Sequence, residues 1–477
     1  MPPPVFFLVA ATAACLIWAL WWRQTPPTAA KLDLPLVDFD GVNGLDEDAL
    51  KERYTKDTGT LLKTGYNKFS KNGHAFAIRN LAHNEGSRPL VFVATKHLEE
   101  VRNAPQNRLS LPEYTERASI LNHIGGPRIT EEVQNAARLN LNRALNNLIG
   151  PIQTQCFDAA RGILPSCQEY LNTVLKAPSA VRQKYPPWLY WTAKYFSPEI
   201  KAVMAVRKKA ANFVLPVLMA RQAEVKKYGE AVEKQDDFIQ WLMDEYRAKG
   251  KELTADDLVQ NIFITMVASM HGTSTICYSV LLNLLAHPDT AAEVKDEIER
   301  VKKHELGADV LWTRHSLGEL RLLDSLMRET LRLNSFTEAT MQRTAIVPYT
   351  FKDGLTVPAG FSVNFTAVQH SLDEDIHGPN AAAFDPKRWI KRRQGFDTSK
   401  FQFASTSDDW LNWGGGPHAC PGRFLADIAI KLTLIYLLGN YEMKYPEGRL
   451  ERPADGRRNL MITPDMTLPI MFKEASK

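Results

Sequence analysis

Apolar residues recur at helical spacing along most of this chain, and turn residues cut the pattern into many long segments. The longest runs from Leu258 to Leu285 and stops at His287-Pro288. Thr254-Ala-Asp-Asp257 precedes it as a capping box, in which a hydroxyl and a carboxylate satisfy orphan amides at a helix start. At 1.5 Å per residue such a helix spans roughly 40 Å, enough to cross a domain. A second box, Ser316-Leu-Gly-Glu319, is expected to start the helix that carries Met327-Arg-Glu-Thr-Leu-Arg-Leu333. Strand-like alternation follows over Thr344 to Phe351, a turn at Asp353-Gly354, Leu355 to Val357 and Phe361 to Phe365, which predicts a small antiparallel sheet. Helices first and short strands afterwards make a mostly α protein of α+β class around one core.

The N-terminus has a different pattern. Val5 to Trp22 is a run of 18 residues without charge, followed by Arg23 and Pro26-Pro27. That length is near the minimum for crossing a bilayer, and Trp18, Trp21 and Trp22 suit its interface. A cleaved signal peptide competes, since Ala11-Thr12-Ala13 offers small residues, but no basic residue precedes the apolar run. Arg23 and Lys31 after the segment keep the body on the cytosolic side. The expected organisation is a transmembrane anchor over 1–24, a Pro-containing linker over 25–40 and one catalytic domain over 41–477.

Chemistry concentrates in Trp413-Gly-Gly-Gly-Pro-His-Ala-Cys-Pro-Gly-Arg423. Glycines let backbone N–H groups approach Cys420 and stabilise negative charge on its sulfur, and the apolar segment Phe424 to Leu438 adds a helix N-terminus. A buried cysteine acting as a small hydrophobe is the plain alternative. A zinc site is the second, but His418 and Cys420 are only two apart and no further ligand pair follows. Neither explains the glycines.

These residues resemble the haem-binding signature of the cytochrome P-450 family. Gly416, His418, Cys420 and Gly422 match in register, and Trp413 stands where the family usually has phenylalanine. The resemblance implies that Cys420 is the metal ligand, binding the iron of a haem b as a thiolate. Glu329 and Arg332, three apart on one helix face, are similar to the family's E-x-x-R motif. Arg388, in Phe384-Asp-Pro-Lys-Arg-Trp389, matches its downstream partner, and the trio is implied to lock the loop behind the haem. His418, and Arg343 in Met341-Gln-Arg-Thr344, match the family's partners for the haem propionates. Arg138 and Arg143 are not carried over, because the family's tryptophan beside them is absent.

In the long helix the family places an acid and an alcohol for proton delivery, whereas this chain reads Ala268-Ser-Met-His-Gly-Thr-Ser274. His271 takes the acidic position and Gly272 the alcohol position, a departure even from the fungal secondary-metabolite members this sequence most resembles. Histidine relays protons near neutral pH. Thr273 takes over the hydroxyl only if the helix bulges, since the next residue points about 100° away. The pocket walls are expected near Pro105 to Tyr114, Val267 and Ala268, and Phe336 to Met341.

The resemblance implies a haem-thiolate monooxygenase that inserts one oxygen atom into a lipophilic secondary-metabolite intermediate such as a terpenoid, polyketide or alkaloid. Oxidative coupling without oxygen insertion and non-catalytic haem binding are the alternatives. Electrons are expected from NADPH-cytochrome P-450 reductase, alone or with cytochrome b5, because the chain has no Gly-rich nucleotide fingerprint. The expected location is the endoplasmic reticulum membrane.

Composition narrows this little. Hydrophobic residues make up 44% and charged residues 23% of 477, which excludes extended disorder. A net charge of +4 is too small to suggest nucleic-acid binding. Five dispersed cysteines fit a reducing compartment, with a Cys156–Cys167 pairing as the exception to consider. The basic run Lys387-Arg388, Lys391-Arg-Arg393 and Arg423 is a candidate docking face for an acidic electron donor.

Overall fold

The computed structural model describes residues 32–39, 46–81, 88–159, 177–178, 180–182, 184–185, 189–229, 235–306, 311–393, 400–446 and 448–475. The Val5–Trp22 segment, the double proline, Cys167 and the side chain of Cys156 lie outside them. No helix among the described residues is long and apolar enough to cross a membrane.

The main helices are α1 (Glu47–Lys68), α2 (Leu98–Asn103), α3 (Leu111–Ser119), α4 (Pro198–Tyr228), α5 (Ala255–Ala286), α6 (Pro288–Val301), α7 (Arg314–Gly318), α8 (Arg321–Leu333), α9 (Arg388–Arg392) and α10 (Arg423–Asn440). Helix α5 starts as its sequence predicts: Thr254 Oγ1 accepts from the Asp257 amide at 3.1 Å, and the Asp257 carboxylate accepts from the Thr254 amide at 3.4 Å. It packs against α4, α8 and α10. Its ends are largely buried, through Leu258–Phe263 and Thr275–Leu284, but no residue from Ile264 to Ser274 is. The middle of the helix is thus less covered than its ends.

The second capping box forms one step away from its predicted place. Thr313, not Ser316, is the cap: its Oγ1 accepts from the Ser316 amide at 3.1 Å, and Ser316 Oγ accepts from the Thr313 amide at 2.9 Å, which starts the short α7. Helix α8 begins separately at Arg321, where the Glu297 carboxylate from α6 accepts from the Leu322 and Leu323 amides at 2.8 and 3.0 Å. A cap supplied by another helix leaves no local sequence signal.

The sheet is larger and less uniform than the pattern predicts. Six strands lie in the order β1 (Leu36–Val37), β2 (Phe76–Ile78), β3 (Leu90–Phe92), β8 (Ser362–Thr366), β5 (Ala339–Ala345) and β4 (Leu109–Ser110). Pairs β1–β2 and β3–β8 are parallel, so the antiparallel expectation holds only for part of it. The predicted strand Thr344 to Phe351 is two pieces, the end of β5 and β6 (Tyr349–Thr350), which pairs with β7 (Thr356–Val357) as a separate hairpin. Within β5 the register shifts between Thr340 and Arg343, where Met341 adopts φ +51°. Such a bulge re-aims the residues after it.

The largest apolar core joins α5, α6, α8 and α10 with Trp389, Phe403, Trp410 and Trp413. That core backs the Cys420 loop.

Candidate active site

The loop before Cys420 closes on itself. The Gly414 amide donates to Leu411 O at 2.9 Å, Ala419 to Gly416 O at 3.1 Å, and Cys420 to Trp413 O at 2.7 Å. Gly414 and Gly416 sit at φ +70° and +60°, in the left-handed region where a Cβ is costly. Gly416 is also needed for space, because a Cβ there would lie 2.4 Å from Arg102 Cγ on α2. The Trp413 ring is buried, edge-on to Phe403 at 5.2 Å, and its Nε1 donates to Phe403 O at 2.6 Å.

Cys420 lies at the start of α10. Burial pushes its thiol up, while the Gly422 and Arg423 amides, directed at the sulfur, and the Arg423 charge pull it down. Arg423 also holds the loop, donating to Cys420 O at 2.8 Å and to Ala404 O at 3.0 Å. Gly422 has φ −87°, and a Cβ on it would meet nothing within 4 Å among the described residues. This glycine therefore keeps the surface beside the sulfur bare and answers to no backbone demand.

The motif residues are brought together as the sequence predicts. Arg332 donates to both oxygens of Glu329, and Arg388 Nε donates to Glu329 Oε1 at 3.0 Å. Arg332 and Arg388 also hold the segment 371–383, bonding to the carbonyls of Ser371, Ala381, His377, Asn380 and Ala383. One buried carboxylate thus organises two guanidinium groups that gather five carbonyls.

Two arginines act on a histidine of the loop. Arg343 is 3% exposed, donates to Gln342 O at 2.8 Å, and has no ion-pair carboxylate among the described residues. Its Nε has no partner among the described residues, and burial pulls its pKa down to about 10. The His418 imidazole is held below its ordinary value, first by burial and then by the charges of Arg343 and Arg138. Arg138 is the residue that sequence reasoning set aside. It sits in a π-helical turn, Ala136–Leu141, inside a longer helix, and the π turn leaves no pattern in the sequence.

A buried arginine without an ion-pair carboxylate among the described residues and an exposed arginine, both acting on a half-buried imidazole on the same loop as a sulfur cradled by amides, fit a haem. Cys420 would ligate the iron, and Arg343, His418 and Arg138 would face the propionates. When bound, that group supplies the electron transfer and oxygen chemistry that no side chain carries.

On α5, His271 is exposed and Thr273 half-buried. The helix is unbroken from Ala255 to Ala286, so no bulge turns Thr273 into the position of Gly272. A Cβ on Gly272 would meet nothing within 4 Å among the described residues. Ser274 is not a substitute, because its hydroxyl donates to Met270 O at 2.6 Å. Of the expected pocket walls, Tyr114 on α3 accepts from Gln342 Nε2, one residue past the Phe336 to Met341 stretch, at 2.6 Å.

The basic run does not form a free cationic face. Lys387 pairs with Glu293 at 2.5 Å, Lys391 with Asp385 at 2.8 Å, Arg392 with Asp409 at 3.9 Å and Arg393 with Asp324.

The family model for cytochrome P450 matches residues 59–470. The chain is a cytochrome P450. Among its relatives, the cytochrome P450 monooxygenase cheE of Chaetomium globosum is 32% identical, across 99% of this chain and 97% of that one. The cytochrome P450 monooxygenase ccsG of Aspergillus clavatus is 30% identical across 96% of both. The pyrichalasin C-7 hydroxylase of Pyricularia grisea is 29% identical across 84% of this chain and 86% of its own. This P450 is an oxidoreductase of the monooxygenase type, with the helix-rich fold and haem-thiolate centre of its family.

Proposed function

We propose that this P450 inserts one atom of molecular oxygen into a lipophilic secondary-metabolite intermediate of terpenoid, polyketide or alkaloid class. The observation that carries the reading is the sulfur of Cys420 under the Gly422 and Arg423 amides, with buried Arg343 acting on the half-buried His418 of the same loop and a stretch of α5 that holds no buried residue. The relative named for hydroxylation at C-7 of pyrichalasin supports hydroxylation as the reaction type. His271 and Thr273 are the proposed proton-handling residues, and haem b the cofactor. Electrons would come from NADPH-cytochrome P-450 reductase, alone or with cytochrome b5. Residues 1–24 would anchor the chain in the endoplasmic reticulum membrane with the catalytic domain in the cytosol.

Oxidative coupling is the second reading, favoured by Gly272, which leaves α5 without a hydroxyl at that position. The test begins with the reduced carbon monoxide difference spectrum of the wild type, expected at 450 nm as for a thiolate-ligated haem, and of Cys420→Ala, expected to lack that band. Turnover of candidate intermediates under labelled oxygen follows. Label in the product supports insertion, unlabelled coupled product supports the second reading, and a wild type without the 450 nm band overturns both.

A further inference from the structure

Arg328 is a charge in a place where charges are rarely tolerated. It precedes Glu329 on α8 and is fully buried, yet no carboxylate ion-pairs with it among the described residues. Its guanidinium carbon lies 4.2 Å from the centre of the Trp410 ring, 4.4 Å from Trp389 and 5.8 Å from Phe401. Nη1 donates to Ser405 Oγ at 2.8 Å and to Gln402 O, while Nε and Nη2 have no hydrogen-bond partner among the described residues. Ring faces attract a cation through their quadrupoles, so the aromatic cage replaces part of the lost hydration.

The carboxylates that act on it are committed elsewhere. Asp324 bonds Lys431 at 3.0 Å and also Arg393, and Asp409 faces Arg392. Burial pulls Arg328 down to about 9, a pull that Asp409 and Asp324 oppose and that Arg393 and Arg392 reinforce. A guanidinium keeps its proton at physiological pH even so.

This cation reaches the ligand loop through a short segment. Four successive carbonyls each accept from a different side chain: Phe401 O from Arg393 at 2.7 Å, Gln402 O from Arg328, Phe403 O from Trp413 at 2.6 Å and Ala404 O from Arg423 at 3.0 Å. Trp413 and Arg423 in turn bond the loop at Cys420 itself. The caged charge is therefore linked to the Cys420 loop through one short backbone segment that both Arg328 and the loop's own Trp413 and Arg423 bond.

We propose that Arg328 is a positioning residue whose fixed, caged positive charge raises the reduction potential of the centre at Cys420. The inference rests on the haem-thiolate reading. One-electron reduction of the centre by a reductase takes ferric to ferrous iron, makes and breaks no bond at sulfur and adds one unit of negative charge. A nearby cation that water does not screen favours the more negative state.

The test uses the full chain loaded with haem, with a spectroelectrochemical titration of wild type, Arg328→Gln and Arg328→Lys. Arg328→Gln is expected to shift the midpoint negative and Arg328→Lys to keep the wild-type value at pH 7, both with the 450 nm carbon monoxide band intact. An unshifted Arg328→Gln, or equal shifts in both variants, overturns the proposal. Should Arg328→Gln not retain haem, Arg328→Lys decides through pH. Desolvation strips the proton from a lysine more readily than from an arginine, so its midpoint should fall as pH rises from about 7 to 8, short of the range in which Arg328 itself titrates, while that of the wild type stays level. A level profile for Arg328→Lys overturns the proposal. A wild type lacking the 450 nm band sinks the haem reading instead, and so the two failures are distinguishable.

Discussion

Arg332 bonds Glu329 through Nε at 2.9 Å and Nη2 at 2.7 Å, three residues apart on α8, with both side chains 0% exposed. A fork-to-fork pair of this kind is tolerated in the interior because further partners satisfy what remains: Arg388 and the Asp385 amide on the carboxylate, and the carbonyls of Ser371 and Ala381 on the guanidinium.

Removing one member strands the other as a buried charge. Glu329→Gln and Arg332→Met should each cost about 3–5 kcal/mol, read as a lowered denaturation midpoint and a lost 450 nm band. Arg388, with its side chain 11% exposed, can rehydrate, so Arg388→Met should cost less than either. An Arg388 variant as damaged as the other two would show that the downstream arginine, not the helix pair, organises the segment 371–383.

Two glycines of the ligand loop should behave differently. Gly416→Ala meets a left-handed backbone and the stem of Arg102, so a loss of about 1–2 kcal/mol from conformation alone is expected, more with the clash. Gly422→Ala has ordinary φ and open space, so the haem-free protein should keep its stability within about 0.5 kcal/mol. Thermal unfolding of both haem-free variants separates them. If Gly422→Ala then also fails to take up haem, the fault lies at the surface the glycine leaves bare.

Acid should weaken the fold before the carboxylates titrate. His370 is 3% exposed, and burial lowers its pKa to about 4; His377 beside it is lowered to about 2, by burial and then by Arg332. In the unfolded chain both titrate near 6.5. A neutral native histidine gives stability that is fully present above about pH 6.5 and is lost as pH falls toward the folded value, because the unfolded state binds the proton first. For His370 the loss between pH 6.5 and 4 is about 3 kcal/mol. Urea midpoints measured across that window should fall less steeply in His370→Gln; parallel slopes would show that His370 is not the group responsible.

The contrast between readable and unreadable parts of this chain is physical. The Cys420 loop and the Glu329–Arg332–Arg388 trio were legible because their chemistry needs particular residue types at short spacing: glycines where φ is positive, and a carboxylate three residues from a guanidinium. Helix α5 was legible from its own cap. What stayed hidden depends on tertiary partners. Glu297 caps α8 from another helix, Arg138 reaches His418 from a π turn, and strands β1 to β4 of two or three residues each have too few positions to show a period. The cage around Arg328 joins residues more than sixty positions apart, and nothing near Arg328 announces it.

The basic run after Phe384 shows why charge in sequence is a poor guide to charge at a surface. Read linearly, Lys391, Arg392 and Arg393 suggest a face that attracts an acidic partner. In the fold Arg393 is a structural residue: it bonds Asp324, which also holds Lys431 at 3.0 Å and the Phe403 amide at 3.0 Å, and it donates to Phe401 O. Lys391 is 64% exposed in its side chain and its pair with Asp385 is of the kind that adds about 0–1 kcal/mol. Lys391→Glu should therefore leave stability and haem content unchanged, so any slowing of reduction at low salt reports electrostatic steering. Arg393→Glu puts a second carboxylate against Asp324 and should abolish folded haem protein at any salt. Were Arg393→Glu to fold normally and slow reduction in a salt-dependent way, the residue would be a docking cation after all, and the Asp324 network would carry less of the ligand loop than its geometry implies.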